Sequence, residues 1–285
     1  MMGRSERAMG SREEGNVAVE ADIGPNRRWP GNAALYWTST TSIVGGLLIW
    51  EIVGRFVVKN ALFLTTPTQI VAATFQLIAE GDLQRHVAAS ASEFFIGLVI
   101  AILLGIGVGF AMASDKYAKR ALGPWVAAFY ATPTIAISPL IILWAGIGIW
   151  SKVIVVIINA IFPMIINTEA GLRSTDKQLI EAARCFGCSR LQVFWKISLP
   201  SAVPFLFAGI KLTIGRGLVA VVVAELFGSR AGLGFLLAQA SDAFNMPLLF
   251  VSVVLLAVTG MTLTWLVGAI ERLLMPWRTL SERES

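Results

Sequence analysis

Cys185 and Cys188, in Cys-Phe-Gly-Cys, stand at the C-x-x-C spacing found in zinc and redox sites. A structural zinc takes four ligands, and neither a second cysteine pair nor a histidine neighbour accompanies these two. No thioredoxin-like strand and helix pattern surrounds them, so they read as incidental small residues. The sole histidine, His86, has no nucleophile or metal ligand clustered with it and reads as a solvated residue near the mouth of an apolar run. No G-x-x-x-x-G-K-[ST] loop occurs, so the chain has nothing with which to cradle the phosphates of ATP. The expectation is a protein with no catalytic residues, no metal and no cofactor of its own.

The remaining polar residues of interest lie inside apolar surroundings. Lys211, Arg216 and Glu225 share one otherwise greasy run, where burying a charge in lipid is expensive, so they should face protein or water. Lys211 lies near one end and can snorkel. Arg216 is deeper and can either favour an anion in a transport pathway or make a structural pair with a carboxylate or a helix C-terminus. Glu225 stands near the other end, placed to pair or to help gate. Glu51 and Arg55 are four apart and should form a local ion pair. Asn159, Asn167 and Thr168 offer hydrogen bonds that in membranes more often join helices than bind solutes. Pro133 and Pro139 each remove a backbone donor, which suits an irregular segment lining a pathway.

These residues need a scaffold, and composition names it. Of 285 residues 56% are hydrophobic and 14% charged, with a mean hydropathy of +0.72, far too apolar for a water-soluble domain. Runs of about 20 apolar residues without strict alternation predict an all-α integral membrane protein rather than an outer-membrane barrel. Six spans are expected, near Leu35–Val57, Phe94–Ala113, Trp125–Ala145, Val153–Ala170, Val203–Phe227 and Leu248–Ile270, the third kinked or broken by its prolines. Between the first two, TPTQIVAATFQLIAEGDLQRH reads as a short surface helix or as an extension of the second span. Gly105 and Gly109 form a small-x-x-x-small pair suited to close helix packing.

Charge sets the orientation. With the N-terminus inside, the inside loops and tails hold Arg4, Arg7, Arg12, Arg27, Arg28, Lys116, Lys119, Arg120, Arg173, Lys177, Arg184, Arg190, Lys196, Arg272, Arg278 and Arg283. The outside holds only Arg55, Lys59, Arg85, Lys152 and Arg230, so both termini are expected in the cytoplasm. The formal charge of +5 is thus topological and points to no nucleic acid. The polar, acid-rich residues before Leu35 have no apolar centre and read as a disordered cytoplasmic tail rather than a cleaved signal.

One polar interruption remains, EAARCFGCSRLQVFWKISLP, Glu181 to Pro200. Thr175 with Gln178 forms a capping-box pattern that should start a helix carrying Leu179, Ala182, Ala183 and Phe186 on one face, and Gly187 is a natural stop. Ser189 with Gln192 repeats the box, and Pro200 should limit a second short helix bearing Leu191, Phe194 and Trp195. Such an elbow suits a close-fitting protein groove, given its alanines, and equally a bilayer surface, given Arg184, Arg190, Lys196 and its aromatics.

Glu181-Ala182-Ala183, three residues, Gly187, nine residues, Ile197, one residue, Leu199-Pro200 resembles at every position the EAA motif of ABC importer permeases. TPTIAISPLIILWAGIG, FPMIINTEAGLRSTD, GRGLVAVVVAELFGSRAGLGFLL and ERLLMPW are similar to the nitrate/sulfonate/taurine-type branch of that family, over roughly Leu35 to Arg278. The resemblance implies a type I importer permease fold, with a polar tail at 1–34, a permease domain at 35–278 containing a coupling loop at 171–200, and a short tail at 279–285. It implies that Glu181, Ala182, Ala183, Phe186, Gly187, Ile197, Leu199 and Pro200 belong to the loop that docks a separate cytoplasmic ATPase, which uses the ATP. It further implies a periplasmic or lipid-anchored binding protein, a second permease copy in a symmetric dimer, the bacterial inner membrane, and a small anionic solute such as nitrate, taurine or an alkanesulfonate. Arg216, Glu225, Pro133, Pro139 and Asn159 are the pathway or gating candidates. An ion-coupled secondary transporter would call for an internal repeat, of which the sequence has no clear sign. A membrane protein that recruits a partner without transport is the other alternative.

Overall fold

The computed structural model describes residues 32–58 and 64–275. Most of the expected N-terminal tail and all of the 279–285 tail lie outside the described residues. The chain divides into two compact units, Met1–Ile49 and Trp50–Ser285. The described part of the first is helical throughout, the opening of α1 (Asn32–Ile52), with Ile43, Val44, Leu47, Leu48 and Ile49 exposed.

In the second unit α1 runs into a π turn (Val53–Val57), and then come α2 (Pro67–Ala79), α3 (Asp82–Ser114) and α4 (Lys116–Ala131). A 3-10 turn (Thr134–Ile137) leads to α5 (Ser138–Ala145), α6 (Ile149–Arg173), α7 (Lys177–Cys185) and α8 (Arg190–Val193). A second π turn (Phe194–Ser198) leads to α9 (Leu199–Gly228), and α10 (Leu233–Asp242) and α11 (Met246–Leu274) complete the order. Among the described residues five helical stretches are long and apolar enough to cross a membrane, and the bent pair of α4 with Thr134–Ala145 makes a sixth. The chain is thus an all-helical membrane protein, with five or six candidate spans among the described residues against the six expected.

Local chemistry explains the boundaries. Thr66 and Gln69 form a full capping box ahead of Pro67, so α2 is an independent short helix. It buries Ile70 and Leu77 in a cluster with Leu83, Leu236 and Val251. Gly81, at φ +78°, turns the chain, and the residues DLQRH begin α3, which starts twelve residues before the expected Phe94. Both sequence alternatives for this segment therefore hold in part. Asp115 ends α3 and caps α4, accepting from the amides of Tyr117 and Ala118.

The third span is broken outright. α4 and the segment after it bend by 82° at Thr132–Pro133, with Pro133 opening the 3-10 turn and Pro139 in the first turn of α5. The buried hydroxyl of Thr134 donates to Asn159 Oδ1 at 2.6 Å, so the break is fastened to α6. Asn159 Nδ2 donates to its own helix at Val155 O, so its amide is fixed on α6 while its oxygen joins the two segments.

Pro200 does not end the helix before it. Residues 190–228 form one continuous helical stretch, because the π turn has Leu199 N–H bonding Phe194 O. A proline lacks the donor and would strike the carbonyl four residues back, and the widened turn removes that conflict.

The centre of the bundle is α6, packed along its length between α3 and α9. Phe94, Leu98, Val155, Val156, Ile214 and Val221 form its buried core. With apolar surroundings on all sides, close van der Waals approach rather than escape from water holds such helices together. Gly105 and Gly109 provide it: a Cβ on either would come within 2.6 Å of Met164 or Thr168 of α6. Gly107, between them, faces open space. Replacing Gly109 by leucine should cost about 1–3 kcal/mol through overpacking, while Gly107→Leu should leave stability unchanged. Thermal unfolding of the two variants in detergent checks this.

Candidate functional site

Two polar assemblies stand out at opposite ends of the bundle. The first is the elbow between α6 and α9. Its helix α7 is capped by Asp176, whose carboxylate accepts from Gln178 N–H at 2.8 Å, and not by Thr175. Thr175 is buried, and its hydroxyl is directed to the Leu172 carbonyl at the end of α6. The adjacent carboxylate takes over the cap because α6 already uses the hydroxyl.

α7 stops as its sequence predicts. Cys188 N–H bonds Ala183 O at 3.1 Å and Gly187 N–H bonds Arg184 O at 2.9 Å, the two bonds of a Schellman motif, with Gly187 at φ +78°. Ser189 and Gln192 then form the second capping box in full. Glu181, Ala182, Phe186, Gly187 and Pro200 are exposed, while Ala183, Ile197 and Leu199 are half-buried. Phe186 is 88% exposed, and Leu179, Leu191 and Trp195 of the same elbow are exposed as well, leaving apolar side chains open on a capped frame. Cys185 and Cys188 are free thiols, exposed and half-buried.

The second assembly is buried. α10 starts at Gly232 with no cap from its own segment, yet three successive amides find side-chain acceptors on other helices. Gly232 N–H donates to His86 Nδ1 at 3.1 Å, Leu233 N–H to Ser90 Oγ at 2.7 Å, and Gly234 N–H to Glu225 Oε2 at 2.5 Å. Ser90 in turn donates to Glu225 Oε1 at 2.6 Å. The loop lies so close that a Cβ on Gly232 would collide with the Glu225 carboxylate.

His86 is therefore not a solvated residue. It is buried, bonded to Gly232 and stacked near Phe235. Glu93 and Lys152, also buried, pair at 3.4 Å between α3 and α6. Lys152 thus does not belong with the exposed outside charges. His86, Ser90 and Glu93 recur at positions i, i+4 and i+7, one face of α3, a signal readable once the helix is started at Asp82. α10 and the end of α9 line a cavity of about 690 Å³ that includes Leu226, Arg230, Phe235, Gln239 and Asp242.

The other charged residues of α9 have separate surroundings. Lys211 pairs with Glu271 of α11 at 2.5 Å instead of snorkelling. Arg216 is exposed, and its guanidinium lies 4.5 Å from the Tyr130 ring centroid on α4. No carboxylate among the described residues pairs with it. Glu51 and Arg55 form the expected ion pair, and Glu51 also accepts from Thr68 N–H. None of the pathway candidates gathers into one pocket: Glu225 and Asn159 are buried in separate networks, while Pro133, Pro139 and Arg216 are exposed.

Removing the Glu225 carboxylate strands the buried Gly234 amide and Ser90 hydroxyl. Glu225→Ala should destabilise by about 1–3 kcal/mol. Because Ser90 shares the network, adding Ser90→Ala should cost less than the two single changes summed, as read by thermal unfolding of all three variants.

Residues 97–278 match the family described as binding-protein-dependent transport system inner membrane component. The chain is 34% identical to the riboflavin transport system permease RibX of Chloroflexus aurantiacus, covering 81% of this chain and 86% of that one. It is 29% identical to the taurine transport system permease TauC of Escherichia coli, covering 88% and 92%. In fold it is similar to the inward-facing MetNI methionine ABC transporter, with a TM-score of 0.58 at 21% identity over 67% of this chain and 94% of that one. The chain belongs to the family of binding-protein-dependent transport system inner membrane components, the permeases of ABC transporters.

Proposed function

We propose that the chain is the permease subunit of an ATP-driven importer, that two copies line the pathway for a small anionic solute, and that α7 docks a separate ATPase subunit. The observation that carries the reading is the elbow: Asp176, the Schellman motif at Gly187 and the Ser189 box fix its shape, while Ala182, Phe186, Leu191 and Trp195 remain exposed. A fixed surface of small and aromatic side chains at the end of a membrane bundle suits a groove in a second protein.

In this reading the elbow and both termini are cytoplasmic, in keeping with the excess of Lys and Arg on that side. Transferring Lys152 from the outside loops to the buried core strengthens that asymmetry. ATP is bound and spent by the partner subunit, and a periplasmic or lipid-anchored binding protein delivers the solute. Arg216 supports an anion as the cargo. It is an exposed cation in the middle of α9, its own carboxylate partner is absent among the described residues, and a lipid-facing charge is costly.

The test reconstitutes the permease with its ATPase and binding protein in proteoliposomes and measures uptake of taurine, an alkanesulfonate and nitrate. Glu181→Ala combined with Gly187→Val should release the ATPase and lower ATP-dependent uptake about tenfold or more, a loss of at least ~1.4 kcal/mol in coupling. Unchanged uptake by a stably folded variant would overturn the docking role. Arg216→Gln should raise the KM for an anionic solute with the ATPase still bound; an unaltered KM removes Arg216 from the pathway.

A further inference from the structure

The ends of α3, α4 and α6 nearest α7 meet around one carboxylate. Glu169, in the last turn but one of α6, has a side chain only 15% exposed. Its Oε1 lies 2.6 Å from Lys119 Nζ in the first turn of α4 and 3.0 Å from Arg173 Nε, the last residue of α6. Arg173 also donates from Nη2 to the Met112 carbonyl at 2.9 Å, two residues before α3 ends. The carboxylate and its two cations therefore link three helices.

The connection from Arg173 to α7 is short and bonded back on itself. Ser174 N–H bonds Ala170 O, Ser174 Oγ bonds Gly171 O, and Thr175 Oγ1 bonds Leu172 O before Asp176 caps α7. Displacement of α7 must reach the end of α6 with little slack. α4 is differently placed. Val126 is its sole buried residue, packed with Met112 of α3 and Ile165 of α6, and α4 also meets the bundle through the Lys119 pair, the Phe129 to Phe162 ring contact and Tyr130 under Arg216. Its far end is the 82° break at Thr132–Pro133. A half-span so lightly packed moves with what holds its near end, which is the Asp115 link to α3 and, from the α6 side, Glu169.

We propose that Glu169 is the positioning residue through which movement of α7 reaches α4 and the broken span. The inference rests on the docking role of α7. Partly exposed ion pairs contribute little to stability, so their loss should free α4 without unfolding the bundle. The role is mechanical: a side-chain link between the driven end of α6 and the half-span that leads to the 82° break.

The test uses the complete complex of permease, ATPase and binding protein in proteoliposomes, measuring solute imported per ATP hydrolysed. Glu169→Gln and, separately, Lys119→Gln should keep the ATPase bound and hydrolysis within about twofold of wild type, while import per ATP falls about fivefold or more. Lys119→Arg, which keeps the pair, should import as wild type. Wild-type coupling in both Glu169→Gln and Lys119→Gln would overturn the proposal. So would loss confined to Glu169→Gln, since Lys119→Gln cuts the same link without altering α6. If Glu181→Ala with Gly187→Val leaves the ATPase bound and coupled, the docking role itself fails. Normal docking with coupled Glu169 and Lys119 variants sinks the link alone.

Discussion

A backbone amide buried inside a protein must find an acceptor there, and the start of α10 meets that constraint with side chains from elsewhere in the fold. His86 and Ser90 of α3 and Glu225 of α9 take the amides of Gly232, Leu233 and Gly234 in succession. The arrangement explains several features at once. It requires α3 to begin early enough to present His86 and Ser90 on one face. It requires glycines where the loop crosses the carboxylate. It also requires α3 and α9 to keep a fixed register, which the close packing of both against α6 provides. A short helix unable to cap itself becomes the lock between two long ones.

The opposite end of the bundle solves the same accounting problem with local means. Asp176, Ser189 and Gln192 serve the amides that start α7 and α8, and the Schellman bonds at Gly187 serve the carbonyls that end α7. A surface closed by its own residues keeps its shape without a partner, which lowers the ordering cost of association. The helix ends are thus capped at one end of the bundle by side chains far apart in sequence, and at the elbow by groups within five residues.

That difference decides what is legible in the chain alone. The Gly187 stop, the Ser189 box and the Glu51 to Arg55 pair involve neighbours a few residues apart, and the sequence states them directly. Thr175 and Asp176 are both competent caps, and only the end of α6, which occupies the threonine hydroxyl, separates them. Glu93 and Lys152 lie 59 positions apart on different helices, and no local spacing announces their pairing. His86 reads as solvated because hydropathy rises only at Phe94, whereas the helix starts at Asp82, just after its turn glycine and twelve residues before that rise. The ring of Tyr130 beneath Arg216 depends on where a broken span folds back, which neither Pro133 nor Pro139 specifies.

The π turn at Phe194–Ser198 has a consequence for rotational phase. It holds one residue more than an ordinary turn while the axis of the stretch continues from Arg190 to Gly228. In an α-helix each residue advances the azimuth by about 100° and the rise by 1.5 Å. The extra residue therefore sets the compass bearing of Leu191 on the elbow against that of Arg216 on the span. Shortening the segment by one residue would swing these bearings apart by more than a quarter of a circle with every helix left intact, so the bulge acts as the index mark by which one face is aimed relative to the other.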